Sequence, residues 1–333
     1  MRDVGISYTR VIAMIFILID HIVFRINIPF KSYIIQITNT GVLIFLFISG
    51  FLYGKKEIKN FKLWFLKRAK KILIPLYVFM ILLSIIEIIF KQGINILDYL
   101  KYLINMQGIL GVTDGAIHLW FLTVLMLCYI ITPLLNKLKY KIKNISLKQI
   151  IIIFIIYFII QISCAYFINI KFALEHPFST YLIYLLVYVV GYFYGYFENK
   201  EVSDKKVMIF TIIMMISMII RVISNKLIDG TILYDRIISM YTNVIFALWL
   251  SVFIRKYYTI INYKGLEMII NKLDLISFEV YIIHGLAIEL FINITNNVLI
   301  NVSLTLIGIY VMALLFSKVC SYVSNLFSVK FSK

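Results

Sequence analysis

Long apolar stretches alternate with short basic joins along this chain, and this alternation constrains its fold more than any other feature. Ten stretches have the roughly 20 mainly apolar residues that a helix needs to cross a bilayer. A composition that is 62% hydrophobic and 15% charged suits lipid better than one aqueous core. We therefore expect an all-α integral membrane protein with about ten transmembrane helices. Their predicted positions are near 8–25, 36–54, 71–90, 118–136, 147–169, 179–197, 206–224, 238–254, 276–293 and 302–322.

Lysine and arginine are distributed unevenly over the joins. Of the 33 basic residues, 24 fall in the N-terminal segment and in every second join, 8 fall in the other joins, and Arg10 lies inside the first stretch. Because Lys and Arg accumulate on the cytoplasmic side, we expect both termini in the cytoplasm of a multi-pass plasma-membrane protein. The net charge of +17 then reflects orientation and contact with anionic lipid. This distribution excludes nucleic acid as a partner.

The sequence shows no internal repeat and no low-complexity tail. We expect no cleavable leader, because the first apolar stretch carries internal charge and lacks a small-residue cleavage site. We expect residues 1–333 to form a single polytopic membrane domain without an appended soluble domain. Each of the three cysteines lies inside an apolar stretch and no CxxC pattern occurs, which argues against a disulfide framework.

The first apolar stretch contains "RVIAMIFILIDH", with Arg10 and His21 at its ends. Eleven helical steps bring these two side chains to nearly the same face, about 16 Å apart along the axis. Ionisable groups inside a span usually have a function, because burying them in lipid is costly. A structural alternative is that Arg10 extends to the cytoplasmic headgroups and that His21 sits neutral beside Asp20 near the outer interface.

Five motifs, in this order, cover almost the whole chain. They are the R-x10-H pattern of Arg10 and His21, "GVLIFLFISGFLYG" (41–54), "FLKRAKKILIPLY" (65–77), "HLWFLTVLMLCYIITPLL" (118–135) and "ISFEVYIIH" (276–284). Together they resemble the acyltransferase 3 family of integral membrane acyltransferases. The family's basic loop often has two arginines three residues apart, whereas this chain has Arg68 and Lys71. Lysine offers phosphate a point charge but no planar fork.

The resemblance implies transfer of an acyl group, typically acetyl, from cytoplasmic acyl-CoA to a hydroxyl of an extracytoplasmic cell-envelope polysaccharide or glycan. It implies that Arg10, Arg68 and Lys71 bind the donor's phosphates, although ordinary positive-inside charge would also place cations there. It implies that His21 carries out the acyl step, as a general base or as a nucleophile. Acyl-CoA would be a substrate, with no tightly bound cofactor, and polysaccharide-biosynthesis proteins are candidate partners.

Three histidines lie outside the first stretch. His118, beside Trp120, begins the fourth stretch, where it belongs either to the outer aromatic belt or to an acceptor site. His284 lies one turn from Tyr281 in the ninth stretch, which favours either substrate binding or a packing hydrogen bond. His176 falls in a predicted outer loop. We expect no zinc site, because no two histidines have i,i+3 or i,i+4 spacing.

Two other classes of protein share these features. A transporter or flippase without acyl chemistry would also need many spans and intramembrane charge, but the paired, interrupted repeats typical of transporters are absent from the sequence. An assembly partner of a polysaccharide synthase would not need both Arg10 and His21. The sequence therefore favours the enzyme.

Overall fold

The computed structural model describes residues 3–89, 96–113, 115–142, 147–168, 178–198 and 202–329. These residues are almost wholly helical, and no strand occurs among them. The all-α prediction is therefore confirmed. His176 lies outside the described residues.

Fourteen α-helices occur in the described part of the chain. The first seven are α1 Val4–Arg25, α2 Lys31–Thr38, α3 Gly41–Gly54, α4 Phe61–Ile89, α5 Ile96–Leu103, α6 Gln107–Leu110 and α7 Trp120–Ile142. The others are α8 Leu147–Ser163, α9 Phe178–Phe197, α10 Asp204–Ile228, α11 Ser239–Ile261, α12 Lys264–Leu275, α13 Ser277–Phe291 and α14 Val298–Val329. A 3₁₀ turn spans Ile117–Leu119, and π-helical turns span Cys164–Ile168 and Leu233–Ile238.

Each of the ten predicted stretches coincides with a helical stretch of the structure. Within the described residues, eight helical stretches are long and apolar enough to cross a membrane, so the protein is a multi-pass membrane protein. The other two predicted stretches match the shorter apolar helix Ile152–Phe167 and the 15-residue α13. A straight helix of that length covers about 22 Å, less than the roughly 30 Å hydrocarbon core. A count of ten spans and cytoplasmic termini stay predictions.

The helices form two compact units. The first unit comprises Met1–Ala13, Thr40–Lys59 and Leu127–Glu267. The second comprises Met14–Asn39, Asn60–Met126 and Met268–Lys333.

Helices α3 and α9 pack against each other through glycine inside the first unit. The four glycines at this contact are Gly50 and Gly54 on α3, and Gly191 and Gly195 on α9. A Cβ atom at Gly50 would lie 2.1 Å from the carbonyl oxygen of Tyr188, and one at Gly191 would lie 2.2 Å from that of Phe47. Glycines four residues apart let membrane helices approach backbone to backbone. No larger residue fits at these positions without moving a helix.

Charged side chains at one end of the first unit form a network around Glu198. Arg255 donates two hydrogen bonds to its carboxylate, of 3.0 and 3.1 Å, and Lys55 Nζ lies 2.7 Å from Oε2. Both cations also lie over the ring of Phe51, at 3.9 and 4.7 Å from its centroid. Burial raises the pKa of the Glu198 carboxyl, but Arg255 and Lys55 outweigh this effect, so the pKa lies below its ordinary value.

In the second unit, α13 and α14 pack along each other, and α4 contacts both. Arg25, at the end of α1, pairs with Glu289 of α13 at 3.5 Å, but both side chains are about half exposed, so the pair contributes little stability. The Tyr99 hydroxyl of α5 donates a 2.5 Å hydrogen bond to Glu87 Oε2 of α4. Burial and the Glu87 carboxylate raise the pKa of Tyr99 to about 12.

Candidate functional site

Arg10 and His21 lie on one uninterrupted helix, because α1 runs from Val4 to Arg25. The helical spacing assumed from the sequence therefore holds, and both side chains are half-buried. Arg10 falls in the first compact unit, and His21 falls in the second.

Three histidine rings converge in the second unit. The ring of His284 lies 4.8 Å from that of His21 and 4.6 Å from that of His118, measured between centroids. The three rings come from α1, from the 3₁₀ turn before α7 and from α13. His284 is fully buried and His118 is 5% exposed. We call this group the histidine cluster.

Helix α13 supplies most of the scaffold for the cluster. Ser277, Tyr281 and His284 lie four and three residues apart, so they share one face of this helix, and all three are buried. The Tyr281 hydroxyl donates a hydrogen bond to the backbone carbonyl of His118. The Phe121 ring lies 5.4 Å from the Tyr281 ring. Aromatic rings therefore surround the cluster with apolar surface.

Backbone carbonyls of α13 hold two of the three imidazoles. His284 Nδ1 lies 2.6 Å from the carbonyl oxygen of Tyr281, and His118 Nε2 lies 2.8 Å from that of Ile282. Gly285 leaves the space that the His118 ring occupies, since a Cβ atom there would lie 2.6 Å from its Nδ1 and Cε1. One turn of α13 thus orients two rings and makes room for one of them.

The carboxylates near the cluster in sequence have other partners. Asp20 accepts a 3.4 Å hydrogen bond from the Thr38 hydroxyl of α2, consistent with a side chain turned away from His21. Glu279 interacts electrostatically with Lys71 of α4 and with Cys320 of α14. This agrees with the helical geometry that points Glu279 away from the face of His284.

Arg68 and Lys71 lie on α4, three residues apart and therefore on neighbouring positions of one face. Arg68 is half-buried and Lys71 is exposed. This face presents two cations in the N-terminal half of α4, and the C-terminal half of the helix is mainly apolar. It can bind an anion, although the lysine supplies a point charge instead of a second fork.

The structure separates the two candidates at the start of the fourth stretch. His118 is 5% exposed and its ring lies 4.6 Å from that of His284, which favours the site over the aromatic belt. Trp120 is half-buried and packs against the neighbouring Phe121 ring at 6.2 Å.

Two aromatic neighbours and one glycine of the cluster were not predicted from the sequence. They are Phe79 of α4, whose ring lies 5.9 Å from His118, together with Phe121 and Gly285. Phe121 and Gly285 each adjoin or closely follow a predicted site residue, but neither has a spacing that reveals a tertiary contact. Phe79 carries no local signal at all.

Metal binding is a separate question for a cluster of histidines. Over the ranges that the structure describes, no group of three or more His, Cys, Asp or Glu side chains is arranged to hold a metal ion.

In a multi-pass helical fold, polar, proton-carrying rings buried among aromatic side chains mark a candidate functional site. A family model described as an acyltransferase domain matches residues 3–325. The chain therefore belongs to the acyltransferase 3 family, and it is a membrane acyltransferase of the O-acyltransferase type. No curated protein and no solved structure matches the chain. The resemblance stated from the five motifs is thereby confirmed.

Proposed function

We propose that this plasma-membrane enzyme transfers an acetyl group from cytoplasmic acetyl-CoA to a hydroxyl of an extracytoplasmic cell-envelope polysaccharide. The observation that carries the proposal is the histidine cluster around His284 inside a protein of this family. Acyl transfer to a hydroxyl requires a group that moves a proton near neutral pH, and histidine is the side chain suited to this. A transporter without acyl chemistry gains no support from the family.

His21 is the residue to which we assign the acyl step. It is the member of the cluster that is half-buried, whereas His118 and His284 are buried. It is also the member that the family's R-x10-H motif contains. As a general base it takes the proton of the acceptor hydroxyl. As a nucleophile it carries the acyl group itself before the hydroxyl attacks.

Cations on the cytoplasmic side are assigned to the donor. CoA carries several negative charges, which cannot cross hydrocarbon, so its nucleotide end stays at the cytoplasmic surface. Arg68 and Lys71 share a face of α4, and Arg10 lies near the start of α1. We assign these three residues to the phosphates of the donor, with no resident cofactor. Charge-assisted bonds to phosphate are strong, and arginine can make them in pairs.

The test is an acyl analysis of envelope glycans from cells that produce the wild-type chain, His21→Ala or no chain. We expect base-labile acetate, detected by mass spectrometry, on a glycan of the wild-type cells only. Ile15→Ala, at a 40% exposed position of the same helix, is the matched control and keeps the acetate. Full acylation by His21→Ala at equal membrane levels would overturn the mechanism. Succinate in place of acetate would show that the enzyme transfers a different acyl group, and the proposed acyl transfer would stand.

The donor assignment is tested with purified protein in liposomes, by measuring the thiol released from acetyl-CoA. Arg68→Ala and Arg10→Ala should each raise the KM for acetyl-CoA about tenfold, the loss of one charge-assisted contact of about 1.4 kcal/mol. Lys71→Arg, which restores the paired arginines, should lower that KM. Lys67 is exposed on the same helix as Arg68, so Lys67→Ala is the control and should leave the KM for acetyl-CoA unchanged. Unchanged KM values in all three variants would contradict the assignment.

A further inference from the structure

The hydrogen bonds of the buried imidazoles fix which of their nitrogens carry hydrogen. A backbone carbonyl only accepts, so His284 Nδ1 and His118 Nε2 are the N–H groups of those two rings. In its neutral form, each ring then has a lone pair on the other nitrogen. The lone pairs lie on His284 Nε2 and on His118 Nδ1.

These two lone pairs have different surroundings. His118 Nδ1 faces the backbone of α13, since a Cβ atom at Gly285 would lie 2.6 Å from it. His284 Nε2 is buried and accepts no hydrogen bond from the residues that the structure describes. A buried polar atom without a partner costs roughly 1–3 kcal/mol, so its presence needs an explanation.

The ring of His21 lies beside the ring of His284, at 4.8 Å between centroids. Asp20, the carboxylate next to His21 in sequence, is directed to Thr38. A histidine that works as a base or a nucleophile needs a partner for its second nitrogen, which fixes its tautomer and stabilises the charge it gains. Among the described groups around His21, His284 Nε2 has the right chemistry for that partner.

We propose that His284 is a positioning residue for His21, and that its Nε2 accepts the N–H of the His21 ring during the acyl step. This inference rests on the proposed function of His21 and holds for both of its routes. It gives the buried nitrogen a purpose that packing alone does not supply.

In the general-base route, the acceptor O–H gives its proton to the substrate-facing nitrogen of His21. The oxygen forms a bond to the thioester carbon, and the C–S bond breaks. The thiolate then takes the proton from His21. His284 Nε2 accepts the hydrogen bond of the other His21 nitrogen throughout, which stabilises the imidazolium form.

In the nucleophilic route, a nitrogen of His21 forms a bond to the thioester carbon, and the C–S bond breaks. The proton on the other His21 nitrogen moves to His284 Nε2, which leaves a neutral acylated ring and a thiolate. When the oxygen of the acceptor hydroxyl attacks the acyl carbon, the C–N bond to His21 breaks, and His284 returns the proton to His21. The hydroxyl proton goes to the thiolate, so that free thiol and ester are the products.

The experiment compares His284→Gln and His284→Phe with the wild type in liposomes, using acetyl-CoA as donor and thiol release as the readout. Glutamine can accept a hydrogen bond from His21 but cannot carry a proton, and phenylalanine can do neither. We expect kcat to fall about 100-fold in His284→Phe and less in His284→Gln, with the KM for acetyl-CoA unchanged. The solvent deuterium isotope effect on kcat should differ from wild type in both.

Two controls separate the causes of failure. Ile283→Val alters packing in the same turn of α13 and should keep kcat and the isotope effect. His21→Ala is measured beside the His284 variants. If His21→Ala is inactive while folded His284 variants keep wild-type kcat and isotope effect, this inference fails alone. If His21→Ala is fully active, the proposed function fails. Gel filtration shows whether each variant is folded. If His284→Phe does not fold, the comparison of His284→Gln with wild type decides the test.

Discussion

The two compact units of this enzyme use glycine differently in their helix packing. In the first unit, α3 and α9 meet through four glycines and touch backbone to backbone. In the second unit, α13 makes room with a single glycine, Gly285, and fills that room with the His118 ring. Glycine thus serves close helix approach in one unit and the placement of a buried imidazole in the other. The same residue type makes room for a backbone in the first unit and for a side chain in the second.

The largest expected effect is on the folding of the first unit. Gly191→Leu would place atoms where the Phe47 carbonyl oxygen lies 2.2 Å from an added Cβ, and only a shift of a helix can relieve this clash. We expect a loss of about 3 kcal/mol or more in the free energy of unfolding, seen as loss of monodisperse protein in gel filtration. Met215→Leu, at a 56% exposed position of α10, is the control. A Gly191→Leu protein as stable as wild type would contradict the close backbone contact between α3 and α9.

The second effect concerns the charge network of the first unit. Glu198→Gln removes the carboxylate to which Arg255, whose side chain is 12% exposed, donates two hydrogen bonds, and leaves it the more distant Asp3 at 3.9 Å. This should cost roughly 2–3 kcal/mol at neutral pH. Because the folded-state pKa of Glu198 is lowered, its stabilisation is complete above the ordinary glutamate value of about 4.3 and is lost as the pH falls below it.

Thermal unfolding of wild type, Glu198→Gln and the exposed control Glu57→Gln across acidic pH measures this effect. The wild-type advantage over Glu198→Gln should shrink on acidification, whereas Glu57→Gln should follow the wild type. An advantage that does not change with pH would contradict the role of the ionised carboxylate.

The third effect is on activity and involves the second unit. Gly285→Ala puts a methyl group 2.6 Å from the His118 ring, so the ring must move away from its hydrogen bond to Ile282. We expect kcat to fall roughly 10- to 100-fold, with a stability loss of only about 1–2 kcal/mol. Gly230→Ala is the control, because nothing lies within 4 Å of its added Cβ although its φ is +73°. If Gly285→Ala lost stability and kept its kcat, the glycine would be structural in both units.

The smallest effect tests the second unit away from the histidine cluster. Tyr99→Phe removes the hydrogen bond to Glu87 and should lower stability by about 1.5 kcal/mol without changing kcat. The pKa of Tyr99 is raised to about 12, so the bond stabilises the fold below the ordinary tyrosine value near 10 and is lost as the pH rises through 12. Unfolding curves of both proteins from neutral to alkaline pH should converge. Curves that stay parallel would show that the hydroxyl proton is not involved.

Hydropathy predicted where the helices lie, because the need to satisfy backbone hydrogen bonds in lipid acts locally on every stretch. It predicted the length of α13 less well, since the predicted stretch 276–293 extends past both ends of the helix Ser277–Phe291. The shared face of Tyr281 and His284 was also predictable, because it follows from the helical period alone.

The histidine cluster was not predictable from one sequence. His21, His118 and His284 are separated by about a hundred residues or more, and no local spacing encodes their contact. The same holds for His118, whose neighbouring Trp120 suggested an interface, whereas its ring is buried against α13. Ionisable residues inside spans marked the candidates, but tertiary packing decided which of them meet.

The glycine contact of the first unit also sets an order of events during synthesis. Gly50 of α3 leaves the ribosome roughly 140 residues before Gly191 of α9, which at 5–20 residues per second is a delay on the order of ten seconds. Throughout that interval α3 resides in the bilayer, or in the insertion machinery, with its glycine groove facing lipid or another protein. The production of folded enzyme therefore depends on how well this early helix is kept available for a partner made much later.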